Sequence, residues 1–463
     1  MRPNLLFINL DQQRFDCLGH TGNAIVKTPH IDRLAASGMR FNAAYTPIPL
    51  CCPARQTLLC GQMPDRHGGL WNYDICSPIP GLSPDVVTWP KRLTAEGYNC
   101  AYLGKWHVHP DCDGTHYGYR SHREALPLWE ESRLRRIHTI KQAGLSFGVG
   151  LMEDVPLAQA HTHRLADMAI REMEQMVQAG DPWHLRVDFF EPHLPCYCAR
   201  EFAERYNPAD IPPWPNFAET FKNKPYIQRQ QLENWGLADW TWREWAVYLS
   251  AYYGMISQVD DAIGRIVSYL EATGASDNTI LIFTTDHGDA AGSHRMMDKH
   301  YVMYEEEVHV PLIVCWPGKV AAGSQCDDFI VHYLDLPPTL LAAIDLEPEA
   351  AFQGKSFLPQ LLGRENPAAR EYAFSSYNGQ QFGLFTQRMI RDRQFKYVWN
   401  ATDVDELYDM QSDPFEMNNL ALDESQAQRL SQYRQMLCNC FSELQDPMIE
   451  GNLWVQKYFE SNS

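Results

Sequence analysis

Four short runs of apolar and β-branched residues, at 4–10, 98–103, 184–190 and 279–285, each stop abruptly at a cluster of polar side chains. Between them lie segments whose apolar residues recur at helical spacing, at 31–37, 86–96, 162–179 and 248–273. In the last of these, Ile256, Val259, Ile263, Ile266, Val267 and Leu270 make one stripe. Gly38 and Gly97 stand where helix C-caps belong. Apolar strands that alternate with helices must bury both faces, so the pattern predicts an α/β fold: a mostly parallel sheet flanked by helices.

A chain of 463 residues exceeds what one core ordinarily organises. After Leu358 the pattern changes. Gly363-Arg364-Glu365-Asn366-Pro367 reads as a boundary, shorter turn-rich runs follow at 372–377, 383–390 and 395–399, and a helix is expected near 424–443. The expected organisation is a main α/β domain over 1–363 and a smaller C-terminal unit over 364–463, an antiparallel sheet plus a helix. The segment from Pro110 to about Gly150 has no clear period and is expected to wrap over the sheet. A second aperiodic stretch, 207–245, carries Trp214, Trp235, Trp240, Trp242 and Trp245. It reads as a packed surface excursion or an oligomer contact, or else as a wall of a substrate pocket.

The net charge of −19 repels nucleic acid and anionic membrane surfaces, so neither is expected as a partner. The same charge would repel an anionic substrate, so any anion site has to be locally positive. The apolar run at 5–10 ends in Asp11 and is too short for an export-signal core or a membrane span. The 13 cysteines follow no disulfide framework, and Cys51-Cys52, Cys196-Tyr197-Cys198 and Cys438-Asn439-Cys440 are not zinc patterns. They read as buried free thiols in a reducing compartment, which makes a cytoplasmic location the expectation.

Ligands of open α/β sheets bind beyond the carboxyl ends of the strands. The four runs deliver Asp11-Gln12, Lys105-Trp106-His107, Glu191-Pro192-His193 and Asp286-His287-Gly288-Asp289 to that edge. A single strand-end aspartate more often caps a helix, and a single histidine is more often a satisfied core or surface residue. The joint placement is what points to a site. Asp11 and Asp286 offer oxygens to a hard divalent cation, with His287 and the Gln12 amide oxygen as further ligands. Lys105, His107, His193 and Lys299 supply the positive or proton-donating groups that an anion needs. Asp289 reads as a helix cap or as a support for the ligands. Cys51-Cys52-Pro53-Ala54-Arg55 precedes an apparent helix at 56–59, so a nucleophile there faces unpaired backbone N–H groups and the positive end of a dipole. Arg55 can brace it with fixed planar donors. Two buried cysteines beside a proline turn is the competing reading of the same residues.

Cys51-x-Pro53-x-Arg55 resembles the signature of the sulfatase family, in which the cysteine is oxidised to formylglycine. The resemblance extends over residues 3–12, 28–35, 61–68, 104–107, 285–289, 298–299 and 310–313, and to 406–409 and 413–420 in the tail. It implies an alkaline-phosphatase-like fold and hydrolysis of a sulfate ester on a small molecule such as a sulfated mono- or disaccharide. By the same resemblance, Asp11, Asp286, His287 and the modified Cys51 would bind one divalent cation, with Gln12 as a further ligand. Arg55 and Lys105 would hold the formylglycine and the sulfate. His107 would assist breakdown of the covalent intermediate, His193 would protonate the leaving oxygen, and Lys299 would contact sulfate oxygens. A formylglycine-generating enzyme is the implied maturation partner. Gln12 replaces an aspartate, and His287 an asparagine, found in many members. Both changes weaken the case for calcium, the first choice, and bring manganese and magnesium into play. The Asp-Gln pair also resembles phosphonate monoesterase and choline sulfatase branches, so hydrolysis of phosphonate monoesters or phosphodiesters is the alternative activity.

Overall fold

The computed structural model describes residues 2–75, 78–124, 134–139, 148–152, 156–299, 301–379, 381 and 383–461. Its centre is an eight-stranded sheet in the spatial order Ser324–Cys326, Met39–Phe41, Leu312–Cys315, Thr279–Thr285, Asn4–Asp11, Trp183–Pro192, Asn99–Gly104, Ser121–Arg123. Only Leu312–Cys315 runs against the others in this sheet. The four strands expected from the sequence lie side by side in it, from Thr279–Thr285 to Asn99–Gly104. Leu6 stands beside Leu281 on one side and Leu185 on the other, all of them buried, as a strand covered on both faces requires.

Helices Pro29–Ser37, Trp89–Ala95, His161–Ala179 and Trp242–Ala272 match the periodic segments. The long one begins at Trp242, ahead of its apolar stripe. Thr241 and Glu244 close a reciprocal capping box there. The stretch 207–245 is therefore not wholly irregular: it contains this start and the helix Tyr226–Asn234. Trp245 and Trp235 are buried, and Trp214, Trp240 and Trp242 pack against the same core. Gly97 takes the left-handed conformation (φ +85°) expected after a helix. Gly38 is extended instead, and a Cβ there would lie 2.4 Å from the Val314 carbonyl oxygen, so close approach is what requires glycine.

Of the segment from Pro110 to about Gly150, the piece Ser121–Arg123 does not wrap over the sheet but extends its edge, and Leu134–Thr139 and Gly148–Met152 form a three-stranded sheet with Cys196–Ala199. Residues 110–120 form loops around one short helical turn, Gly114–Tyr117, and 125–133 and 140–147 lie outside the described residues.

Beyond Ala373, the strands Ala373–Gly379, Phe385–Arg391, Phe395–Asn400 and Glu406–Asp409 make an antiparallel meander, covered by the helix Ala427–Glu443. Its core joins Phe374, Tyr397, Leu407, Leu437 and Phe441 to Met63, Val331 and Leu334 of the main sheet's flank. Among the described residues twelve cysteines are free thiols, and ten of them are buried. Among the described residues no helix is long and apolar enough to cross a membrane.

Candidate active site

The carboxyl ends of the central strands meet around a buried cluster. Asp11 closes the strand Asn4–Asp11, and Asp286 and His287 follow Thr279–Thr285. These two strands are hydrogen-bonded neighbours, so register alone sets their ends side by side. Cys51 does not precede its helix, as the sequence suggested, but is its first residue; the helix runs Cys51–Cys60, capped by Leu50. Pro53 fits in that first turn because the N–H it lacks would have no partner inside the helix. Cys51 thus keeps its place at the positive end of the dipole.

The Cys51 sulfur lies 3.1 Å from Nε2 of His287 and 3.7 Å from Oδ1 of Asp11. One donor atom from each of Asp11, Cys51, Asp286 and His287 falls within 4.8 Å of the others, and all four residues are buried. Two carboxylates and an imidazole form a donor set suited to a hard or borderline divalent cation. The electrostatics fit the same group. Burial and Asp11 push the Asp286 carboxyl up. Burial and Cys51 would do the same to Asp11, but Lys105, His193 and Arg55 outweigh them and hold it well below the usual range. A cation between the two carboxylates would let both ionise.

Arg55 is fully buried and spans the carboxylates. Its Nη2 donates to Asp11 at 2.8 Å, its Nε to Asp286 at 2.9 Å and its Nη1 to Asp188 at 2.7 Å. Lys105 reaches Asp11 at 2.7 Å. The turn that carries Lys105 depends on Gly104 (φ +94°), where a Cβ would stand 2.0 Å from the Asp188 carbonyl oxygen. His107 hydrogen-bonds Cys51 and approaches Asp74 at 3.3 Å; burial lowers its pKa, and these two partners outweigh burial and raise it. Nε2 of His193 lies 2.7 Å from the Lys299 ammonium, which also donates to Gln12 Oε1 at 2.8 Å. Burial pushes the Cys51 thiol up, but Lys105, Lys299 and His287 hold it well below the ordinary thiol range. Burial would lower His287, yet Asp286 and Cys51 raise it to about 9.

All ten residues singled out from the sequence, Asp11, Gln12, Cys51, Arg55, Lys105, His107, His193, Asp286, His287 and Lys299, fall in one hydrogen-bonded or ion-paired network. The Gln12 amide oxygen faces Lys299. Two members escaped sequence reasoning. Asp188, inside the strand Trp183–Pro192, gathers Arg55, Arg186, Tyr102 and Asn9 on one carboxylate. Its signal was available: Arg186 and Asp188 are opposite charges two residues apart in a largely apolar strand, which need each other if buried. Asp74, beside His107, sits in a turn with no pattern to mark it.

A family model described as Sulfatase matches residues 3–346, and one described as N-sulphoglucosamine sulphohydrolase, C-terminal, matches residues 292–443. The chain is 29% identical over 461 residues to the uncharacterized sulfatase YidJ of Escherichia coli, covering 96% of this chain and 88% of that protein. It is 26% identical to the N-acetylglucosamine-6-O-sulfatase of Bacteroides thetaiotaomicron, covering 94% and 86% respectively. The crystal structure of the phosphonate monoester hydrolase of Agrobacterium radiobacter superposes with a TM-score of 0.79 at 27% identity, over 96% of each chain. The fold, the clustered site and a family match over most of the length agree: this chain belongs to the sulfatase family.

Proposed function

We propose that this sulfuric ester hydrolase cleaves the sulfate ester of a small sulfated molecule, a mono- or disaccharide, with formylglycine made from Cys51 as the nucleophile. The observation that carries the reading is the convergence of the Cys51 sulfur with Asp11, Asp286 and His287. Asp11, Asp286, His287 and the residue made from Cys51 would hold a divalent cation, calcium or else manganese or magnesium, which when bound neutralises sulfate oxygens and acidifies the nucleophile. Formylglycine supplies a hydrated aldehyde, from which sulfate can depart without water attacking sulfur.

The protein's own groups do the rest. Arg55 offsets the charge of Asp11 and Asp286 and keeps both in place. Lys105 and Lys299 hold the anion, as an acidic chain requires. His193, paired with Lys299, delivers the proton to the leaving oxygen, and His107, oriented by Asp74, takes a proton from the hydroxyl that remains. Residues 1–363 form the catalytic unit and 364–463 a supporting one. The free thiols support a cytoplasmic location. A formylglycine-generating enzyme is the required partner, and a sugar-sulfate substrate is supported by the name of the glucosamine sulfatase relative.

The second reading, phosphonate monoester or phosphodiester hydrolysis, is favoured by the likeness to the phosphonate monoester hydrolase. Both substrate types put one negative charge on a tetrahedral centre. A panel of nitrophenyl sulfate, phenylphosphonate and bis-nitrophenyl phosphate, run on protein whose Cys51 conversion is verified by peptide mass, separates them. Preference for the sulfate by kcat/KM supports the first reading, and preference for either phosphorus ester overturns it.

A further inference from the structure

Gln12 departs from the aspartate found at this position in many sulfatases, and a neutral amide brings an ambiguity that a carboxylate lacks: it presents an acceptor on one side and a donor on the other. Which side faces the site decides what Gln12 can do there. Two neighbours fix the answer. On one side stands the Lys299 ammonium, 2.8 Å away, which has donors and no acceptor, so it requires the amide oxygen. On the other stands Oδ2 of Asp289, 2.5 Å from the Gln12 nitrogen. Asp289 is itself pinned. Its Oδ1 accepts the backbone N–H of Ala291 at 2.7 Å, and its Oδ2 also receives the Tyr248 hydroxyl at 3.4 Å. Gln12 is held in the left-handed region (φ +68°), with its N–H on Asp286 Oδ1 at 3.1 Å and its carbonyl receiving the Tyr252 hydroxyl at 2.7 Å. The backbone therefore cannot easily compensate for a turned side chain.

We propose that Asp289 is a positioning residue that locks the Gln12 amide with its oxygen toward Lys299 and the Asp11–Asp286–His287–Cys51 cluster. The inference rests on the reading of that cluster as a cation and sulfate site. It accounts for the amide at 12: its NH2 group supplies the donor that Asp289 Oδ2 faces at 2.5 Å, which a carboxylate there would lack. It also makes 12 and 289 a matched pair, one amide and one carboxylate.

The pair can be exchanged. In Asp289→Asn the oxygen of the new amide is claimed by the Ala291 N–H, so its NH2 group occupies the Oδ2 position and faces the NH2 of Gln12. Gln12 must then turn and present a donor to Lys299. In Gln12→Glu two carboxylates oppose each other. In the double variant the roles are exchanged: the carboxylate now at position 12 accepts from both the amide now at position 289 and the Lys299 ammonium. The experiment measures Ca2+ and Mn2+ affinity by calorimetry, with kcat and KM for nitrophenyl sulfate, on the two single variants, the double variant and the unaltered protein. Each single change is expected to weaken cation affinity or raise KM by about 10- to 100-fold, the usual effect of losing a group that orients ligands. The double variant is expected to recover to within a few-fold. Additive losses in the double variant, or single variants indistinguishable from the unaltered protein, overturn the proposal. If Asp289→Asn alone does not fold, recovery of a folded, cation-binding double variant supports the pairing, and its failure to fold overturns it. If the unaltered protein, with Cys51 converted, neither binds a cation nor cleaves the ester, the functional reading has failed instead.

Discussion

The Lys299 ammonium donates to Nε2 of His193 across 2.7 Å. The other ring nitrogen, Nδ1, lies 2.5 Å from the Leu194 carbonyl oxygen, which can only accept. The proton destined for a leaving group therefore lies between His193 Nε2 and Lys299. His193→Ala should cost alkyl sulfates roughly 10²- to 10⁴-fold in kcat/KM, the range for a lost general acid. Nitrophenyl sulfate, whose leaving group departs unprotonated, should suffer far less. Steady-state kinetics on both esters checks this; equal losses would remove the role from His193.

Cys51→Ala should abolish turnover while the thermal midpoint stays within a few degrees, because the side chain removed is small and its sulfur contacts groups of the site, Asp11 and His287. Cys51→Ser should accumulate a sulfated protein detectable by intact mass. Full activity in the alanine variant would exclude this nucleophile.

Asp188 joins two fully buried arginines, Arg55 and Arg186. Asp188→Asn leaves both with less compensating charge. Loss of one partner from a buried ion pair costs about 3–5 kcal/mol. Denaturant unfolding should report a loss of that order, together with a fall in kcat/KM as Arg55 loses its third anchor.

Removing divalent cations should lower thermal stability, since Asp11 and Asp286 then face each other with less compensating charge. Calcium or manganese at 100 times its Kd should return about 2.7 kcal/mol. A melting temperature indifferent to chelator and to both ions would argue against the cluster as a metal site.

Buried histidines set an acid limit on stability, His184 and His309 among them. Burial pushes His184 down to about 3, against the raising effect of its bond to the Leu5 carbonyl, and pushes His309 down to about 4, against Glu305. Unfolded histidine titrates near ~6.5. Below that pH the unfolded chain binds protons that the folded chain refuses, so stability falls as pH drops from about 6.5 toward about 4, and is level in this respect above it. Each group contributes a slope of up to about 1.4 kcal/mol per pH unit. His184→Gln keeps a donor for Leu5 and should flatten the profile by that amount between pH 6 and 4, measured by urea unfolding at several pH values.

Local pattern and chemistry determined much of this protein. The four apolar runs became four adjacent strands of the sheet because burial on both faces leaves a largely hydrophobic sequence, and the polar residues that follow each run mark the edge where the strands end. Ten candidate site residues could be read because strand ends in such a sheet converge whatever the intervening sequence does. Other features depended on distant partners. The Trp242 start of the long helix is decided by the Thr241–Glu244 capping box, not by apolar period. Asp188 and Asp74 draw their meaning from Arg55 and His107, which are far from them in sequence. Gln12 is the clearest case: the residue type offers both a donor and an acceptor, and only the folded positions of Lys299 and Asp289 decide which one faces the site, because a side-chain amide has no orientation until its neighbours impose one.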